Sequence, residues 1–239
     1  MNAFVGGGTT NVAGGTDSGV LSGSGNEACD NFSSIGGGGA NQISSSGGGI
    51  DATDSFIGAG DGNIIDCTSS CDGDNAIAAG AFNVIYGGAG NSSIGSGTSN
   101  TLSSNYAFIG GGNNNNVSGE YGAVAGGNTN TASGTESSIP GGAYNSASGY
   151  ASFAAGYHAD ADEAGAFVWS DNSASSTTKA TAANEFLARA AGGVTFFTNS
   201  TMTTGVKVAA GSGTWSSLSD RAVKTAIESI DDTQVLDKV

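Results

Sequence analysis

Narrow apolar steps recur along the first two thirds of the chain, and each is followed by glycine. Val5, Val20, Ile35, Ile57, Ile77, Ile94, Ile109, Val124, Ile139 and Phe153 each stand three residues before Gly8, Gly23, Gly38, Gly60, Gly80, Gly97, Gly112, Gly127, Gly142 and Gly156. Asn follows three residues later in nine of these ten copies (Asn11, Asn26, Asn41, Asn63, Asn83, Asn100, Asn115, Asn130 and Asn145), and Ala159 stands there in the tenth. A second apolar position comes two residues after the Asn, as in Ile43, Ile65, Ile85, Leu102, Val117, Ala132 and Ala147. Two apolar steps separated by Gly and Asn predict two short strands per copy, joined by tight corners. Gly supplies the φ > 0 conformations, and Asn tolerates the left-handed region and bonds its own backbone.

The glycines are spaced 15, 15, 22, 20, 17, 15, 15, 15 and 14 residues apart. Copies this short cannot each bury a core, so they predict a stack of coils in which every copy contacts its neighbours. Asn side chains in register are then expected to bond along the stack, as in β ladders. The added residues between Gly38 and Gly97 must leave the stack as loops. The interior is lean. Burying an apolar side chain contributes about 1.5–3 kcal/mol, while fixing one residue's backbone costs about 1–2 kcal/mol. With two such side chains per copy, many of them Ala or Val, the pattern predicts an obligate oligomer.

The repeats fill residues 1–162. Phe167, Val168 and Trp169 then lead into a polar run, so 163–185 reads as a coil end and loop, with Phe167 and Trp169 as capping residues. Phe186 and Leu187, then Val194, Phe196 and Phe197, then Val206 and Val208 read as strands of a small β connector over 186–217. The segment 218–239 ends on what reads as the start of a helix, with Asp232 or Thr233 as its cap.

Composition narrows the function classes. The chain has 239 residues with 43 Gly and one Pro, and the glycines lack the strict period of collagen. The registered Ile and Val positions also oppose disorder. No apolar run is long enough to cross a membrane as a helix, so no membrane insertion is expected. The net charge is −15, and residues 1–178 contain neither Lys nor Arg. Such a surface repels a phosphate backbone, so no nucleic-acid partner is expected.

Candidate chemistry is sparse. Cys67 and Cys71 could close a small disulfide, leaving Cys29 over; three unlinked thiols is the alternative. With His158 as the only histidine, a zinc site is not expected. Asp66, Asp72 and Asp74 are weak candidate ligands for calcium. The full Asp-x-Asp-x-Asp-Gly loop is missing, so a solvated acidic loop is the plainer reading and no cofactor is expected. The acids lie scattered on bulges with no readable aromatic-lined cleft. This argues against the paired carboxylates of a polysaccharide-degrading spike.

Two resemblances add to this. The repeated Ser-x-Ile-Gly-Gly-Gly-x-x-Asn-x-Ala-Ser-Gly pattern, covering 3–162, resembles the head repeats of trimeric autotransporter adhesins. The resemblance implies a left-handed parallel β-roll with three chains side by side; the coil here is usually one residue longer than the family's. The motif Ser219, Asp220, Arg221, Lys224 and Ile227 resembles the start of the self-cleaving intramolecular chaperone domain of phage tail spikes and fibres. It implies Ser219 as nucleophile, Lys224 as its base, and cleavage at Leu218–Ser219. A desolvated Lys can serve as such a base. Together they imply a homotrimeric all-β fibre part, outside the cell or on a virion, that contacts a host-surface receptor, a glycan first. A bacterial surface adhesin head is the alternative.

Overall fold

The computed structural model describes residues 2–45, 53–66 and 73–218. Among these residues the regular elements are all β-strands. The chain divides into two compact units, Met1–Arg189 and Ala190–Val239.

The first unit is a parallel β-solenoid built from two sheets. The first sheet runs from Phe4–Val5 to Phe186–Arg189 as twelve strands in line, with a thirteenth, Gly142–Ala143, pairing off that line. The second sheet has eleven strands, from Val12–Ala13 to Thr178–Lys179. Each strand pairs with the strand one coil away, so Ile94, Ile109, Val124 and Ile139 lie over one another. Leu102, Val117, Ala132 and Ala147 do the same in the second sheet. A narrow third ladder of single bridges joins Thr9, Ser24, Gly39 and their counterparts as far as Ala143.

Most of these strands are two or three residues long, because successive side chains point to opposite faces and one inward residue per strand fills the coil. Beyond the first coil, where Val5 is exposed and Ala13 half-buried, both members of a pair are fully buried, for example Ile57 with Ile65 and Ile109 with Val117. From the middle of the stack onward the filling becomes smaller. It passes from Ile77 and Ile85 to Val124 and Ala132, then to Ala154 and Ala161. The coil with the Ala154–Ala161 filling is the one that has lost a residue, since Ser138 pairs with Phe153 but Gly142 with Gly156. A shorter coil encloses less volume, and close packing requires smaller side chains inside it.

The same lost residue corrects one expected position. Phe153 pairs with Ser138, so Ala154 faces inward and the Phe153 ring lies outside. There it stacks on Phe167 at 4.4 Å, and Phe167 stacks on Phe186 at 4.9 Å. Nor do 163–185 form a cap and loop. Phe167–Ser170 pairs with Phe153–Tyr157 on one side and with Phe186–Arg189 on the other, and Thr178–Lys179 extends the second sheet. The parallel stacking therefore passes 162 and reaches Arg189, and it takes Phe186 and Leu187 from the expected connector. The signal was hidden because Ser170 and Thr178 replace the Gly and Asn of the repeat; their hydroxyls bond each other at 3.0 Å.

The Asn row lies buried beside the filling. Asn115 Nδ2 donates to Gly111 O at 3.0 Å, to Gly127 O at 3.1 Å and to Asn100 Oδ1 at 3.1 Å. Its Oδ1 accepts from the N and Nδ2 of Asn130. The pattern repeats from coil to coil and ends where Ala159 N donates to Asn145 Oδ1. The carbonyls of the glycine row thus have a side-chain partner. Gly127 sits at φ +101, and a Cβ there would collide with the Gly142 carbonyl of the next coil. At this position any side chain is both strained and blocked.

The second unit, described to residue 218, is a three-stranded antiparallel sheet of Gly193–Phe197, Gly205–Ala209 and Trp215–Leu218. The last strand was not expected from the sequence. Of the residues described in this sheet, Gly205 alone is buried.

Candidate functional site

Each coil also holds two corner residues in the left-handed region, and most are not glycine. One row stands just before the Asn and includes Phe82 (φ 55), Tyr144 (φ 58) and His158 (φ 57). The other includes Phe32 (φ 57), Tyr106 (φ 54) and Tyr121 (φ 58). The backbone accounts for the conformation. Strand N–H groups donate to the following coil, as Phe108 N does to Gly122 O. The corner N–H groups donate to the preceding coil: Tyr106 N to Gly90 O, Tyr144 N to Asn128 O and His158 N to Ala143 O. A positive φ reverses the donor and keeps it bonded. For an aromatic residue this conformation is uncommon and costs of order 1–3 kcal/mol. Yet the rings it carries are half-exposed: Phe32, Phe82, Tyr106, Tyr121 and Tyr144 all fall between 47% and 57%.

These rings form two clusters. Tyr106 and Tyr121 stack at 5.1 Å. Tyr144 and His158 stack at 5.0 Å, and Tyr157 meets both edge-on at 5.8 and 4.4 Å. The second cluster borders an open groove of about 540 Å³ lined by Gly142, Ala143, Gly156, Tyr157, Trp169, Ser170, Asp171 and Asn172. The lost residue at Ala154 places the groove here, because Gly142, Ala143 and Gly156 leave a depression between Tyr157 and Trp169.

Buried and charged groups fix its walls. Ser170 Oγ donates to Tyr157 O at 2.7 Å. Arg189 Nε donates to Asp171 Oδ1 at 3.2 Å, and its other nitrogens donate to the carbonyls of Asp171, Ala174 and Ser176 at 2.8, 2.9 and 2.6 Å. One guanidinium thus holds the loop that carries Asp171 and Asn172. In the adjoining coil, Lys179 bonds Asp162 and Asp160. The Asp162 hydrogen bond and the neighbouring Asp160 raise the Lys179 pKa above its ordinary value. Lys179 and Arg189 thus offset two of the three acidic charges of Asp160, Asp162 and Asp171.

Of the expected site residues, Ser219, Lys224, Cys67, Cys71 and Asp72 lie outside the described residues. Leu218 ends the last described strand. Asp66 closes the strand Ile64–Asp66, and Asp74 is an exposed corner residue at φ 55. Among the described residues no group of three His, Cys, Asp or Glu side chains is placed to hold a metal ion. Cys29 is a free, exposed thiol. Partial desolvation, with Glu27 and Asp30 beside it, pushes its pKa up.

Sequence reading treated Trp169 as a cap and found no aromatic cleft. Tyr144, Tyr157 and His158 carried no motif, although all three crowd the one copy with a 14-residue step. A scan against protein-family models finds no match to the chain, and a search of curated proteins finds none either.

Proposed function

We propose that the chain is a structural and receptor-binding part of an extracellular appendage of the phage tail-fibre kind, assembled as a homotrimer of left-handed rolls. It contacts a glycan or protein on the host surface and is matured by cleavage at Leu218–Ser219 through Ser219 and Lys224.

The observation that supports assembly is the outer face of the first sheet. One outward column carries Phe4, Phe56, Phe108, Phe153, Phe167 and Phe186, and its other members are Gly, Ala and Ser. No charge interrupts it in a chain of net charge −15. The matching column of the second sheet includes Glu27, Gln42, Asn116, Asp160 and Lys179. Where the inside shrinks to Ala154 and Ala161, the outside grows to Phe153 and Phe167. Apolar bulk moved from a coil's interior to its exterior fits an interior shared between chains.

Light scattering tests this directly. The protein is expected at three times the mass of one chain, Phe108→Glu at the mass of one, and Thr131→Glu at the parent's mass. A parent that runs as a single chain removes the trimer. Attachment is tested with labelled protein on a panel of bacterial strains; it should bind some and not others, and binding to none, or equally to all, removes the receptor reading. Self-cleavage is tested by the mass of the product expressed from its whole reading frame against Ser219→Ala, where equal masses exclude it.

A further inference from the structure

We infer that the groove between Tyr157 and Trp169 is a binding site for an uncharged saccharide. This deepens the attachment reading and rests on it for its biological meaning, though not for its chemistry.

Three observations converge. First, the walls are aromatic and the floor is bare. Tyr157 and Trp169 rise beside Gly142, Ala143 and Gly156, and Trp169 is 40% exposed. A pyranose has a C–H face that lies on an aromatic ring, whose face is electron-rich, and hydroxyls around its edge that need partners. Second, the polar groups stand at one end. Asp171 and Asn172 adjoin the rings, which is the arrangement of a few oriented polar groups on an apolar lining. Third, the charge is already used. The Asp171 carboxylate is held by Arg189 and by Ser173 N and Oγ, and Asp160 and Asp162 by Lys179. Of these only Asp171 lines the groove, and it is paired; the one negative charge left where Lys179 is shared by Asp160 and Asp162 lies outside the lining, while an anion would face a protein of net charge −15. An apolar peptide anchor would need an enclosed pocket, whereas this one is open.

The site is also prepared in advance. Tyr157 is braced edge-on by Tyr144 and His158 and fixed at its carbonyl by Ser170. Arg189 holds the Asp171 loop at five acceptors: the Asp171 carboxylate, three carbonyls and the Ser176 hydroxyl. Groups held in place before the ligand arrives lose little freedom on binding. The outlay in backbone strain at Tyr144 and His158 is repaid in rigidity at this cluster. Trp169 leaves its strand on the same face as Phe167, two residues on, so the groove borders the Phe153–Phe167–Phe186 column proposed to meet other chains.

The experiment uses an immobilised array of neutral hexose and N-acetylhexosamine oligosaccharides, with sialylated counterparts as the anionic arm. The protein should bind a subset of the neutral glycans. Trp169→Ala and Ala143→Phe, which fills the groove without removing a ring, should each weaken that binding at least about tenfold, the equivalent of about 1.4 kcal/mol. Light scattering shows whether each variant keeps the parent's assembly. Binding to no neutral glycan, a preference for the sialylated arm, or full binding by an Ala143→Phe variant of parental mass overturns the inference. If the parent still marks bacterial cells while the array stays blank, the groove fails and the attachment reading stands. If the array shows groove-dependent binding and no cell is marked, attachment fails and the groove stands.

Discussion

In the roll, Ile109 and Val117 are 0% exposed, and the same holds coil after coil. In the antiparallel sheet of the second unit, Phe196 is 51% exposed, Phe197 47% and Trp215 58%, and the Phe196 and Trp215 rings stack at 5.9 Å in the open. Both are all-β, yet among the described residues only the roll has an inside. The roll closes its interior by turning the chain back over itself, so each coil covers the next. Three antiparallel strands have two faces and nothing of their own to cover either, and a sheet of that size is marginal alone. The lean filling noted in the sequence is thus supplemented in the roll by three hydrogen-bonded ladders and the Asn row. Among the described residues of the second unit, two antiparallel ladders stand with no buried apolar side chain beside them.

The sharpest way to break this comparison is inside the roll. Asn115→Ala removes the acceptor of Asn130 N and Nδ2 and a donor to Gly127 O, all in a site that is 1% exposed. Buried groups left unpaired cost about 1–3 kcal/mol each. The expected loss is about 3 kcal/mol, read as a lower midpoint in urea by circular dichroism. An unchanged midpoint would mean that the Asn row is incidental to the stack.

The second unit offers a smaller effect of a different kind. If its sheet stood alone, Phe196→Ser and Trp215→Ser would change stability by no more than about 0.5 kcal/mol, as surface substitutions do. If partner chains cover it, each should lower the urea concentration at which the assembled mass is lost, by about 1–2 kcal/mol of burial per side chain. The roll's far-ultraviolet signal should be kept. Mass lost together with the roll's signal would contradict the division of labour.

The smallest effect probes the roll's outside. Cys29 titrates above its ordinary pKa through desolvation first, and then through Glu27 and Asp30. Its thiolate therefore forms at higher pH than a peptide's. Alkylation at pH 9 should be slower than for a free peptide thiol, because less of the thiolate is present. Glu27→Gln should recover part of that rate, and a rate unchanged by it would leave desolvation and Asp30 as the causes.

Much of the roll was legible because its rule is local. Gly127 and Asn115 report a corner and a bonding partner within their own coil, and every coil states them again. The rule was lost where other residues did the same work. Ser170 and Thr178 meet across a coil as hydroxyls, so the stacking after 162 carried no repeat to read. Phe153 was placed inside because it stood three residues before a glycine, and a coil one residue short had shifted that count. The groove was not legible at all. Tyr144, Tyr157 and Trp169 are spread over 25 positions and share a surface only through the stacking of separate coils.

By itself, then, the sequence determined that this chain winds into stacked coils, that the glycine row turns one corner of each, and which apolar side chains fill most of them. These follow from local sterics and from a period repeated often enough to leave one register. Only the tertiary structure decided where the stack ends, which way the rings at the short coil face, and that small residues open a groove between Tyr157 and Trp169. The direction of the rings depends on one deleted residue shifting the register, and the end of the stack on Ser170 and Thr178 standing for Gly and Asn; both are visible only once the strands are paired.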